Sequence, residues 1–181
     1  GRVGIGTSSP QTSTKGLHVV HDATEGTPAF PDGEVIIAQR NFNSSQGCHI
    51  GIIAGTASES AINFGDKDDS DIGNIVYNHS SNDMRFTTNT AERMRIDSVG
   101  SVGIGTVPST WSSTVYDALQ IGGSIGVGTI AGRRDGVNQV NFGLNWHYAG
   151  GSTLSYVSSS FATNYAQEAG THRWSHASSG T

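Results

Sequence analysis

The sequence predicts an all-β protein of elongated, modular build, with sandwich-like or prism-like β modules. Three observations carry that prediction. The first is composition: 34% of the 181 residues are apolar and 14% charged, both low for a globular domain, and Gly, Ser, Thr and Asn fill the gap. Such a chain has neither the charge of a disordered acidic tail nor the apolar mass of a thick core. It suits thin layers joined by many turns, or a core completed with copies of the same chain. The second is repetition: Gly1-Arg2-Val3-Gly4-Ile5-Gly6-Thr7 returns 99 residues later as Gly100-Ser101-Val102-Gly103-Ile104-Gly105-Thr106. The third is a succession of short β-branched or apolar runs separated by turn residues.

The repeat has two unlike faces. On an extended strand Val3, Ile5 and Thr7 share one side, and Arg2, Gly4 and Gly6 the other. The second copy sets Val102, Ile104 and Thr106 against Ser101, Gly103 and Gly105. Glycine weakens a strand interior, so two per strand imply that another backbone approaches closely. Pro10 and Pro108 stop the strands. A looser third copy runs from Gly123 to Thr129.

The remaining elements follow in order. Strands are expected at Leu17–Val20, Glu34–Gln39, Ile50–Ala54, Ala61–Gly65, Ile72–His79, Met84–Thr88 and Arg93–Asp97. In the second half they are expected at Ala118–Ile121, Val137–Phe142, Asn145–Tyr148, Thr153–Val157 and His172–His176. Pro31-Asp32-Gly33, Ser44-Ser45-Gln46-Gly47, Ser81-Asn82-Asp83 and Ala149-Gly150-Gly151 supply turns. The best helix candidates are Asn89–Arg95 and Ser159–Ala169, both short. The organisation expected is a first module over 1–99 and a second over 100–181 that stops short of its own end, so the chain reads as a piece of a longer array.

Residues 73–106, GNIVYNHSSNDMRFTTNTAERMRIDSVGSVGIGT, resemble a segment of the tail fibres of tailed bacteriophages. The shared pattern is Ile75-x-Tyr77-x-His79, Asn82-x-Met84-x-Phe86, Glu92-Arg93-Met94-Arg95-Ile96-Asp97, then Gly100-x-Val102-Gly103-Ile104-Gly105-Thr106. Residues 145–181 are similar to another module of such proteins, through Asn145-Trp146-x-Tyr148, Tyr165-x-Gln167, His172-x-Trp174 and Ala177-x-Ser179-Gly180-Thr181. Together these cover about half the chain, and residues 16–72 carry little of the pattern. The resemblance implies an intertwined homotrimer in the virion, outside the cell, contacting other tail or baseplate proteins and a host-surface glycan or protein. It places the glycine positions Gly4, Gly6, Gly103 and Gly105 where three chains meet, with the Val/Ile face against a neighbouring chain. Alternatives are a polysaccharide-cleaving tailspike, a head fibre or capsid decoration protein, and a bacterial surface filament protein.

Several chemistries are weighed against this. A formal net charge of −5 without a basic stripe argues against a nucleic-acid partner. No apolar run approaches membrane length. Cys48, the single cysteine, reads as a small buried apolar residue. Gly126–Ala131 matches a dinucleotide fingerprint in letters, but turn residues follow where a helix is needed, so no cofactor is expected. The acidic run Asp66–Asp71 lacks the Gly and Glu of a calcium loop and reads as a solvated turn. His18 with His21, and His172 with His176, read as packed or surface side chains rather than metal ligands. Glycoside cleavage needs two carboxylates across a groove. Glu34, Glu59, Asp117 and Asp135 are candidates without a surrounding motif, and the expectation is a non-enzyme. Aromatics concentrate in the second half. Trp146, Tyr148, Tyr156 and Trp111 are the candidate receptor or glycan contacts, since aromatic faces anchor interfaces and stack on sugars.

Overall fold

The computed structural model describes residues 3–5, 17–23, 36–41, 49–112, 114–123, 126–150 and 153–178. Gly6, Glu34 and Cys48 lie outside the described residues. The described residues form strands and turns only, which makes the chain all-β. They divide into two units, 1–52 and 53–181.

In the first unit β1 (Val3–Ile5), β2 (Leu17–Ala23) and β3 (Ile36–Asn41) form a three-stranded parallel sheet. Val3 pairs with Leu17 and Ile5 with Val19. His18 and His21 lie on β2.

The second unit is built on a ten-stranded sheet. Its first strands form an antiparallel meander: β4 (Glu59–Phe64), β5 (Gly73–Asn78), β6 (Asp83–Thr88), β7 (Ala91–Ile96) and β8 (Val102–Ile104). Then β8 runs parallel to β9 (Tyr116–Gly123), with Val102 beside Leu119 and Ile104 beside Ile121. Antiparallel pairing continues through β10 (Gly126–Arg133), β11 (Gln139–Leu144), β14 (Ala162–Glu168) and β15 (Thr171–Ala177). A separate hairpin, β12 (Trp146–Gly150) with β13 (Thr153–Tyr156), leaves the sheet after β11.

The repeated heptad is therefore a repeated topology. Both copies place a Val-Gly-Ile strand parallel to the next strand, β1 on β2 and β8 on β9. The intervening segments, 6–16 and 105–115, have the same length, about as short as a parallel crossover allows. Within the second crossover Trp111 and Pro108 are buried.

Three expected elements differ. Both helix candidates fall mainly on strands, β7 and β14, where alternation and sheet pairing override local propensity. Residues 50–54 take no place in a described sheet, and Ile53 is 94% exposed.

The crossover and the hairpin cover one face of β9–β14. Tyr116, Ala118 and Gln120 of β9 point into it, with Val127, Thr129 and Ala131 of β10, Asn141 of β11, and Ala162 and Ala166 of β14. Trp111, Tyr116 and Trp146 form its aromatic centre, with ring centroids 5.4–6.5 Å apart in edge-to-face arrangement. Tyr148 closes it at 5.2 Å from Tyr116. The Trp146 indole lies over Gly143, where any side chain would collide with it. Asn145 turns the chain out of the sheet in left-handed backbone, φ 59°. Its amide donates to the carbonyls of Ser158, Ser160 and Phe161, and its Oδ1 accepts from Ser158 N–H, clamping the return to β14.

Candidate functional site

The alternation that buries one face leaves the other open along two lines of residues that cross all ten strands. One line runs Ile62, Ile75, Phe86, Met94, Ile104, Ile121, Gly128, Leu144, Thr163, His176. The other runs Ser60, Tyr77, Met84, Ile96, Val102, Leu119, Ile130, Phe142, Tyr165, Trp174. Nine side chains on this face, Phe64 and eight from these lines, are each 36–80% exposed. They present on the order of 900 Å² of surface, against about 300–600 Å² for the largest apolar patch of a typical monomer. At the β15 edge Trp174 packs on Tyr165 at 4.4 Å, and Tyr165 hydrogen-bonds His172.

Gly103 faces the other way. A side chain there would strike the Thr106 carbonyl and the Pro108 ring, so the close backbone approach comes from the chain's own crossover. Gly105 has φ 70°, and a Cβ would lie 2.9 Å from the Gly122 carbonyl oxygen. Gly103 is buried and Gly105 exposed. Gly4 pairs with His18 in the first unit, and Gly6 lies outside the described residues. The β-branched Val102 and Ile104 belong to the open face.

Opposite the open face, β4–β7 carry charge instead of a core. Asp83, 4% exposed, accepts from Arg85 Nε at 2.6 Å and from Arg95 Nη1 at 3.4 Å. Arg95 also grips Glu92 with two bonds of 2.8 and 2.6 Å, and Glu59 lies 3.7 Å from Arg85. Burial by itself would raise the Asp83 carboxyl, but the Arg85 and Ser81 hydrogen bonds and the two guanidinium charges hold it below its ordinary value. A bulge between Phe86 and Thr87 brings Glu92 and Arg95 to the same side. The Glu-Arg-Met-Arg-Ile-Asp motif thus splits by face: Glu92 and Arg95 into the network, Met94 and Ile96 onto the open face. Asp97 accepts from the backbone of Val99 and Ser101 and closes the turn into β8.

The four candidate contact aromatics separate. Trp111 and Trp146 are 3% and 5% exposed and hold the core, and Tyr148 is half-buried beside them. Tyr156 is exposed, with its hydroxyl donating to the Ser178 carbonyl at 2.7 Å. Trp146 and Tyr156 meet at a cleft of about 210 Å³ between the hairpin and the ends of β14 and β15. The exposed Trp174 was legible only as an aromatic on a strand shared with two histidines; its place on an edge strand marks it as surface.

The described carboxylates expected at a glycosidase groove are each tied to an arginine: Glu59 to Arg85, Asp117 to Arg134, Asp135 to Arg133. The Asp66–Asp71 turn is organised by itself. Asp66 Oδ1 accepts from Asp68 and Asp69 N–H, which lowers its carboxyl from the ordinary value. Among the described residues no group of three or more His, Cys, Asp or Glu is placed to hold a metal ion, and no helix is long and apolar enough to cross a membrane. No family model, curated protein or solved structure matches the chain.

Proposed function

We propose that this chain is a structural and adhesive segment of a bacteriophage tail fibre, working by contact and without catalysis, as a homotrimer that packs through the open sheet face. The observation that carries the reading is the pair of apolar lines across ten strands. A lone chain leaves that face in water, while one copy seated on it buries on the order of 800 Å² per partner, the size of a standard stable interface. Where the sheet is apolar on both faces, over β9–β14, it is expected to be covered on both. Here the chain's own crossover and hairpin cover only one, and copies of the chain cover the other. The Gly103–Gly105 strand then needs no axis of its own, because its close contacts lie within the chain. On this reading the protein sits in the virion, outside the cell, joined to other tail or baseplate proteins and facing a host-surface glycan or protein. The test is the mass of the folded chain in solution by light scattering. Three times 18.9 kDa is expected, and a well-folded species of one chain mass overturns the trimer.

A further inference from the structure

We infer that the cleft beside the hairpin is a binding site for one neutral sugar ring. Its aromatic wall is the exposed Tyr156 of β13, the buried Trp146 of β12 reaches it only by an edge, and its floor includes Ala162 and Ala177. Polar side chains at it are Ser155, Asn164 and Ser175. Among the described residues no Lys, Arg, Asp or Glu lines it, so they offer nothing to balance a charged ligand. Ala162, Asn164, Ser175 and Ala177 belong to the sheet face that Trp146 covers, since Ala162 pairs with Ala177 and Asn164 with Ser175. Thr163 and His176, the pair between them, also line it and belong to the open-face line, so the cleft sits at the end of β14 and β15 with most of its lining on the covered side.

Size and chemistry agree on the ligand. A cavity of about 210 Å³ lies below the roughly 300–1,000 Å³ range of drug-sized pockets and suits a single ring. A pyranose has one face of C–H groups, which rests on an aromatic wall, and a girdle of hydroxyls that both donate and accept. Hydroxyl and amide groups match that girdle without formal charge. Asn164 donates to Asn141 at 3.1 Å and leaves its own Oδ1 buried without a partner among the described residues, an acceptor in need of a donor. The bridge from Tyr156 to the Ser178 carbonyl fixes one wall before any ligand arrives. One ring in a shallow cleft gives an affinity of about 1–10 mM, so tight attachment comes from repetition along a fibre.

That the sugar belongs to a host surface rests on the attachment reading above; the chemistry of the cleft does not. The experiment is saturation-transfer NMR on the whole chain with glucose, galactose and N-acetylglucosamine, each at 10 mM. Transfer to ring protons of at least one is expected. Tyr156→Ala removes a wall, and Ser175→Trp fills the cleft from an exposed edge position. Each should reduce the signal at least fivefold with the circular dichroism spectrum unchanged. No transfer from any of the three, or transfer that both variants leave intact, overturns the site. Light scattering on the same samples keeps the two readings apart: a trimer that binds no sugar sinks the cleft alone, and a sugar-binding monomer sinks the trimer alone.

Discussion

The two halves of the ten-stranded sheet share one open face and treat the opposite face in different ways. Over β9–β14 that face is dry: a crossover and a hairpin bring Trp111, Trp146 and Tyr148 down on small residues. Over β4–β7 no described element of the second unit caps it, and five charged side chains, Asp83 at their centre, satisfy one another. Among its residues only Val76 and Asp83 are buried. The first solution makes a core within one chain. The second makes a water-facing surface, so that half depends on its open side for apolar burial. One strand pattern, apolar residues at alternate places, serves both halves, and what sits across from it decides how far each stands alone.

Breaking the aromatic cap gives the largest expected effect. Trp146→Ala removes a buried indole that no neighbour can replace, at a cost of about 3–5 kcal/mol read by denaturant unfolding. A loss under 1 kcal/mol means the hairpin adds little to the second half. Asp83→Ala breaks the charged half. Arg85 and Arg95 keep 27% and 19% of their side chains exposed, so water relieves part of the loss, and about 2 kcal/mol is expected, below the usual cost of a fully buried pair. The exposed Arg93→Ala, one place away from the network, should change stability by no more than about 0.5 kcal/mol. If the two variants behave alike, the network is ornament to the fold.

Acid separates the halves by pH, with the smallest effect. His147 stands beside Trp111 at 6.1 Å, and burial lowers it from its ordinary 6.5. Its neutral form is the native one, so the unfolded chain binds more protons below pH 6.5 and stability falls as pH drops through that range. Asp83 is also lowered, but as a carboxyl. Its contribution is complete above its ordinary 3.8 and is lost as pH falls below that. Unfolding midpoints against pH should show two declines, and His147→Gln should erase the first alone. A single decline below pH 4 would remove His147 from the account.

Strands were legible in the sequence wherever alternation met turn residues: β5 to β7 follow from Ile-x-Tyr, Met-x-Phe and Met-x-Ile spacing. The parallel step from β8 to β9 was not, because the crossover reads as an ordinary loop; its signal was the equal spacing of the two heptads from the next strand. Side preference at the repeat was visible, but the approach of the chain's own Thr106–Pro108 turn to Gly103 was not. Aromatic count pointed to the second half, yet pattern alone could not separate the buried Trp111 and Trp146 from the exposed Tyr156 and Trp174. That distinction depends on which strand lies at an edge and which face the hairpin covers, and both are set by long-range pairing.

The central claim is that the open face joins copies of the chain. The most direct test is light scattering of the chain beside the double variant Ile104→Asp, Phe142→Asp, which puts two charges on that face at side chains 41% and 43% exposed. The account predicts about 57 kDa for the parent and 18.9 kDa for the variant, with the strand content of the second unit retained. A variant that keeps the parent's oligomeric mass, or a parent that is already a folded single chain, would contradict it.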